Sequence, residues 1–417
     1  VTLTFQDIQT ARVRITPYVN CTPLRRFEHL RKLLGFDAPV FLKLDNLQNT
    51  GSFKVRGGAN KLLALKESGR AVSHVVAASA GNHAQAVAFV AGKLGIRATI
   101  VMPEGAPLVK AAATRDYGAE VILHGSVYDE AFAKAQEVLG AHPGSVYVHA
   151  YEDPLIMAGQ GTLGVEVHEQ LLQEGCETQD IQIVVPIGGG GLISGVATAM
   201  KHLRPSSQIF GVVGQAAPAM AESFERGELV ASTSKAVRTL AEGLAVKKVS
   251  AMTFGILKPL VKQISVVSED EIAGAISTLM ERAKLVVEGS GAAGVAAAVA
   301  KKLRLDPKKP TVFVLCGGNI DMNLISNILE RGLVKNGRRL PLVVRVEDRP
   351  GQLAKITDCI GQRGANILSV DHDRTSPECP MGMTRIRLEL ETRGPEHVQE
   401  LIVALEKIGL SVEKSLS

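Results

Sequence analysis

The chain has 417 residues, more than one typical domain, and 46% of them are apolar against 21% charged, a balance that can bury a sizeable core. The formal net charge of +5 is spread along the sequence, only 4% of residues are aromatic and tryptophan is absent, which argues against a nucleic-acid platform built on base stacking. Five widely spaced cysteines without a Cys-x-x-Cys pair speak for a reducing compartment and against structural zinc, and no run of about 18 apolar residues offers a membrane span.

The first twenty residues carry charges and lack the apolar centre of a secretory signal. A soluble, cytoplasmic protein is therefore expected, or an organellar one where a transit segment has been removed. The first informative segment is Asn49-Thr50-Gly51-Ser52-Phe53-Lys54. Its small polar residues supply a turn and an N-cap, and residues 57–63 carry an apolar helical repeat. A lysine at that junction meets the positive end of a helix dipole. Partial desolvation further lowers the ammonium pKa and frees the amine to attack an aldehyde. Lys54 is a candidate Schiff-base lysine, although on spacing alone a solvated surface charge is the commoner reading.

Residues 74–78 read as a buried strand, followed by Ser79-Ala80-Gly81-Asn82-His83 and a helical pattern over 86–90. Amides at a helix start, with Ser79 and Asn82 alongside, make a seat for a carboxylate or phosphate. A plain N-cap beside a surface histidine is the alternative. Strand-like runs at 98–102 and 120–123 then alternate with helical patterns at 106–117 and 127–139. His142, His149, His168 and His202 lack paired ligand spacing and read as surface or core residues.

The strand-like run 181–187 ends in Gly188-Gly189-Gly190-Gly191, before a helix from Leu192. Four glycines let backbone amides close around a phosphate, with the helix dipole adding attraction; a loop that binds nothing is the alternative. Ile193 and Ser194 fill the third-glycine positions of a dinucleotide fingerprint, and no Gly-x-x-x-x-Gly-Lys loop occurs. A last buried run, 312–315, leads into Cys316-Gly317-Gly318-Asn319. Cys316 reads either as an inert core thiol or as a group facing a ring nitrogen held unprotonated.

Strand and helix in turn imply an α/β fold with twisted, mostly parallel sheets. A charged linker at 335–339 separates a different pattern: strand 340–346, turn Asp348-Arg349-Pro350-Gly351, helix 352–363, strands 366–371 and 384–390, helix 396–408 and strand 410–413. The order βαββαβ is a ferredoxin-like module.

These four segments, in this order, resemble the fold-type II pyridoxal-phosphate enzymes, and among them the threonine/serine dehydratase and serine racemase family, over residues 1–335. Residues 336–417, with Asp348-Arg349-Pro350-Gly351-x-Leu353 after the first strand, resemble an ACT domain. The resemblance implies a two-lobed catalytic domain whose smaller lobe, residues 45–155, closes over pyridoxal 5'-phosphate. It implies a Schiff base at Lys54 with Phe53 beside it, a phosphate held by Gly188, Gly189, Gly190, Gly191 and Leu192, Asn82 on the ring hydroxyl, and Cys316 at the pyridine nitrogen. Ser79, Ala80, Gly81, Asn82 and His83 match the turn that binds the substrate carboxylate, and Lys54 and Ser79 match the catalytic positions.

The implied activity is the deaminating dehydration of L-threonine and L-serine to 2-oxobutanoate or pyruvate and ammonia. Serine racemase is the alternative, because Ser79 suits either activity. A non-catalytic amino-acid sensor is the second. An amino-acid effector is expected at Gly351, Leu353 and Asn366, in a homodimer or homotetramer; a dimerisation module without an effector is the competing reading. One departure stands out. Several relatives bind a divalent cation through acidic residues after the strand at 209–213, where this chain has no carboxylate until Glu222. Hard cations need charged oxygen ligands, so no divalent metal is expected, while a monovalent ion on backbone carbonyls stays open.

Overall fold

The computed structural model describes residues 3–69, 72–177, 180–231, 239–375 and 379–414. The chain divides into two compact units, Val1–Ile320 and Asp321–Ser417.

In the first unit, β1 (Leu24–Arg26) and β2 (Val40–Lys43) begin a sheet that the chain leaves at once. It next builds a separate sheet from β3 (His74–Ala78), β4 (Arg97–Met102), β5 (Glu120–Leu123) and β6 (Val146–Tyr147), all parallel, in the order β5-β4-β3-β6. It then returns to the first sheet with β7 (Gln182–Pro186), β8 (Gln208–Gly214), β9 (Val261–Val267) and β10 (Thr311–Val314). The completed order is β1-β2-β10-β7-β8-β9, parallel except for β1.

Every residue of β3, β7 and β10 is buried. Helices cover both faces of these strands, which is why they read as continuous apolar runs rather than as alternation. Ile183, Val185, Val312 and Val314 pack with Leu163 and Val167 of the helix Pro154–Gln173 and with Ile193 and Val196 of the helix Gly191–Leu203. Around the other sheet, Val75, Ala77 and Ile100 pack with Val55 and Leu62 of the helix Lys54–Glu67 and with Val87 and Val90 of the helix Asn82–Leu94. Small residues in the Gly289–Val299 helix allow close approach: a methyl at Gly294 would lie 3.2 Å from Val184 Cγ1.

The second unit begins with the helix Met322–Lys335. Then come β11 (Arg339–Glu347), the helix Gln352–Gln362, β12 (Asn366–Asp373), β13 (Met383–Glu391), the helix Pro395–Lys407 and β14 (Ser411–Lys414). The sheet is antiparallel, in the order β12-β13-β11-β14. Leu342, Val344, Ile386 and Leu388 pack against Ile356, Ile360, Leu401 and Leu405 of the two later helices. β12 lies at the sheet edge, bulges between Ile367 and Ser369, and leaves Leu368 and Val370 exposed. Among the described residues no helix is long and apolar enough to cross a membrane.

Candidate active site

Three buried parallel strands end in the segments singled out above, as expected for α/β sheets that present ligands at their carboxyl ends. β3 leads into residues 79–82, β7 into the glycines and β10 into Cys316.

Lys54 does not follow a capped turn. The N-cap of its helix is Phe53, without a side-chain hydrogen bond, and Lys54 is the first helical residue. The N-cap expected from the loop 49–52 does not form; Ser52 makes an antiparallel bridge with Gly317, and the Phe53 N–H donates to the Cys316 carbonyl at 3.0 Å. This stitch holds the lysine loop beside the end of β10. Gly51 makes the turn with φ of 68°, the left-handed region that glycine enters without strain. The partly buried Lys54 extends past the Phe53 ring, 5.1 Å from its centroid, and its Nζ donates to the Ala150 carbonyl at 2.9 Å. Desolvation pulls its pKa down to about 8, partly opposed by Cys316 and Glu288.

The glycine run is a cradle in which side chains have no room. A methyl at Gly188 would overlap the Gly243 carbonyl, one at Gly189 would overlap the Tyr151 ring, and one at Gly190 would lie 2.8 Å from Thr253 Oγ1. Gly190, the N-cap of the Gly191–Leu203 helix, has φ of 90° and offers no capping side chain, which leaves the first-turn amides available to an anion. Thr253 Oγ1 donates to the Gly189 carbonyl at 2.8 Å and fixes the loop.

Residues 79–83 form the open start of the Asn82–Leu94 helix. Its N-cap is Gly81, again without a side-chain cap, and Ser79 Oγ accepts from the Gly81 N–H at 3.2 Å. His83 is buried and donates through Nε2 to the Val148 carbonyl at 2.8 Å; desolvation, with Lys54 adding, pulls its pKa down to about 3, so the ring is neutral. Asn82 Nδ2 donates to Glu288 Oε1 at 2.8 Å, and its Oδ1 accepts from Asn319 Nδ2 at 2.8 Å. Cys316 is buried, and desolvation, then Glu288, pushes its thiol pKa well up and keeps it neutral.

Shared contacts join these pieces. A methyl at Gly317, next to Cys316, would lie 3.2 Å from Asn82 Nδ2, and one at Gly243 would lie 3.9 Å from Glu288 Oε1. Lys54 reaches Ala150, whose neighbour Tyr151 lies over Gly189 and Gly191. The structure thus gathers Lys54, Phe53, Asn82, Cys316 and the glycines in one place. It does not gather the terminal trio. Gly351 and Leu353 stand at the start of an 11-residue helix and Asn366 beyond its end, about 16 Å away at the rise of an α-helix.

Glu288, Asn319, His149 and Tyr151 were given no place in the site by sequence reasoning. Desolvation raises Glu288 to about 7 against the Asn82 hydrogen bond. A carboxylate just ahead of the small-residue run Gly289-Ser290-Gly291 was the available signal. His149, read from spacing as a surface or core residue, is partly buried; its Nδ1 accepts from the Glu152 N–H at 2.8 Å and fixes the turn that carries Ala150 and Tyr151. Among the described residues no three His, Cys, Asp or Glu side chains gather to hold a metal.

Amides around a glycine cradle, an amine of lowered pKa, a neutral thiol and an oriented Asn amide fit the pyridoxal phosphate that the resemblance implies: a phosphate at the cradle and an aldehyde within reach of the amine. The comparisons agree. Residues 15–317 match the model of the pyridoxal-phosphate dependent enzyme family, and residues 337–409 match an ACT domain. The chain is 46% identical over 415 residues to the L-threonine ammonia-lyase of Geobacter sulfurreducens, covering 99% of both chains. Among solved structures, a T.th. threonine deaminase matches with a TM-score of 0.71 and 38% identity, over 76% of this chain and 99% of its own. Maize serine racemase matches with a TM-score of 0.72 and 31% identity, over 80% of this chain and 99% of its own. The chain belongs to the pyridoxal-phosphate dependent enzyme family and carries an ACT domain after its catalytic fold.

Proposed function

We propose that this protein is a lyase that removes ammonia from L-threonine, and from L-serine, giving 2-oxobutanoate or pyruvate, under control of an amino acid bound at the ACT domain. The observation that carries the reading is the Lys54 amine, drawn down to about 8 and held beside the glycine cradle, in a chain similar along its whole length to an L-threonine ammonia-lyase.

When bound, pyridoxal phosphate supplies an aldehyde for an amine and a ring that accepts the electron pair left at Cα. The chain's residues do the rest. The backbone amides of Gly188 to Leu192 would hold the phosphate at the start of the Gly191–Leu203 helix. Phe53 flanks the amine, and Asn82, whose amide donates one N–H to Glu288, would offer its other N–H to the ring oxygen. Cys316, neutral through burial, offers the ring nitrogen no carboxylate, an arrangement that suits elimination better than transamination. The amides of Ala80, Asn82 and His83 would seat the substrate carboxylate, in a turn that the Gly81 N–H holds by donating to Ser79 Oγ. The neutral His83 spends its Nε2 proton on Val148 and shapes the turn without acting as an acid. Lys54 Nζ, uncharged in a large fraction of molecules near pH 8, takes the Cα proton.

Ser79 supports a second reading, racemisation, in which its hydroxyl exchanges a proton on the face opposite Lys54. Incubation of cofactor-loaded protein with L-threonine and, separately, L-serine, scoring 2-oxo acid and D-amino acid in the same sample, decides between the two. Predominant 2-oxobutanoate from threonine supports the lyase; predominant D-serine, lost in Ser79→Ala, overturns it. Protein prepared with pyridoxal phosphate but lacking visible cofactor absorbance would point to an amino-acid sensor.

Gly351, Leu353 and Asn366 are the proposed effector contacts, and the length of the helix that stands between the first two and Asn366 favours an effector held between two copies of the module. That supports a homodimer or homotetramer. All five cysteines are free, which supports a reducing compartment such as the cytoplasm.

A further inference from the structure

This inference rests on the reading of Asn82 as the side chain that meets the ring oxygen of the cofactor. A side-chain amide has nearly the same outline with its oxygen and nitrogen exchanged, so a binding site that needs one particular end must contain something that fixes the choice. Here the main chain does so. Asn319 Nδ2 donates to the Thr50 backbone carbonyl at 2.8 Å, and a carbonyl oxygen can only accept. The Asn319 nitrogen is therefore turned toward Thr50, and the same nitrogen donates to Asn82 Oδ1 at 2.8 Å. Asn82 must then present its nitrogen on its other side, where Nδ2 donates to Glu288 Oε1 at 2.8 Å. One of the two Nδ2 hydrogens is used by Glu288 and the second remains.

The anchors at both ends of this chain of hydrogen bonds are themselves held. The Glu288 N–H donates to the Gly317 carbonyl at 3.1 Å, and the Gly318 N–H donates to the Gly51 carbonyl at 2.8 Å. At Gly51 a methyl would overlap Asn319 Oδ1, so the Asn319 side chain is packed against the lysine loop with no slack.

We propose that Asn319 is a positioning residue: its donation to the Thr50 carbonyl sets the polarity of the Asn82 amide and keeps the free Asn82 N–H directed at the ring oxygen of pyridoxal phosphate. Asn319 itself touches neither cofactor nor substrate in this role. It acts from the side of the lysine loop, so the loop that carries the amine also orients the amide that faces the ring.

Asn319→Asp is the informative change, since it keeps the shape and removes the donor. Asn82 then turns its nitrogen toward the introduced carboxylate and its oxygen toward the ring. The dissociation constant of pyridoxal phosphate and the absorption band of the bound cofactor are measured for wild type, Asn319→Asp, Asn319→Ala, Asn82→Ala and the Asn319→Asp/Asn82→Ala pair. The expected result is roughly tenfold weaker binding and a displaced band in Asn319→Asp, a smaller effect in Asn319→Ala, and no further loss when Asn319→Asp is added to Asn82→Ala. Equal losses with and without Asn82 would mean that Asn319 only ties loops together and would overturn the proposal, as would an unchanged affinity and band in Asn319→Asp. Should that variant fail to fold, wild-type affinity and band in Asn319→Ala overturn it equally. Wild-type affinity and band in Asn82→Ala would instead remove the reading of Asn82 on which the proposal stands.

Discussion

Arg56 grips Asp45 with two parallel hydrogen bonds of 2.7 Å, from Nε to Oδ2 and from Nη2 to Oδ1, and neither side chain has any exposed surface. The same guanidinium meets Glu166 at 2.6 Å through Nη1, and Lys43 of β2 donates to the other Glu166 oxygen at 2.6 Å. Two cations and two carboxylates close a buried, neutral network whose Arg56 stands two residues after Lys54 in the same helix. Its net contribution relative to an apolar core is small, but removing one member leaves a buried charge unpaired. Arg56→Ala should destabilise the cofactor-free protein by about 3–5 kcal/mol, read by urea unfolding. A loss below about 1 kcal/mol would show that the network is solvated in solution.

Lys54→Ala should abolish ammonia release while leaving the fold intact, as judged by product assay and circular dichroism. The pH dependence follows from burial. Only the uncharged amine attacks an aldehyde, so attachment of pyridoxal phosphate to the cofactor-free protein should speed up as pH rises toward about 8 and level off above it. The folded value lies below the ordinary 10.5, so the charged amine destabilises the fold below pH 8, and this penalty fades between 8 and 10.5. Lys54→Met should therefore stabilise the cofactor-free protein at neutral pH by up to about 3 kcal/mol.

Glu288 titrates with the opposite consequence. Its carboxyl keeps a proton in the folded protein up to about 7, whereas the unfolded chain releases it near 4.5. The folded state thus binds more protons between those values, and this contribution to stability is full below 4.5 and is lost as pH rises to 7. Unfolding of the cofactor-free protein as a function of pH should show a decline of about 3 kcal/mol across that window, absent from Glu288→Gln. Equal slopes in both proteins would assign the decline to other groups.

Gly189→Ala places a methyl against the Tyr151 ring and should displace either the ring or the amide beside it. Overpacking of this kind costs about 1–3 kcal/mol, and the loss should appear mainly as weaker cofactor binding in an absorbance titration. Undiminished binding would show that Tyr151 yields freely.

Much of this architecture was legible from short patterns. β3, β7 and β10 announced themselves as unbroken apolar runs because parallel strands are buried on both faces, and the βαββαβ order of the second unit was readable from alternation and turns. Helix beginnings were less legible. The N-cap read in the loop 49–52 does not form because Ser52 bridges to Gly317, more than 260 residues away in sequence, and that pairing overrides local capping chemistry. The helix read over 106–117 starts only at Leu108, after Pro107. Asn319 reads in the sequence only as the end of a turn, and Glu288 is not read at all, because their meaning comes from Asn82, which no local spacing connects to either.

The order in which the strands enter the first sheet bears on how the protein is made. β2 pairs along its length with β10, Val40 opposite Thr311, so a strand near the beginning of the chain waits for one synthesised some 270 residues later. Meanwhile β3 to β6 form a sheet from one continuous stretch, residues 74–147, whose contacts are all available early. Loop-closure entropy delays pairings between distant segments, so the continuous sheet forms first, while β2 and β7 present unpaired apolar edges until β10 arrives between them. Lys54 and the thiol at the end of β10 are brought together by that same insertion. A chain that ends before β10 therefore lacks the strand that sets Cys316 beside the lysine loop, and it leaves the facing edges of β2 and β7 unpaired, the kind of exposed edge that favours aggregation.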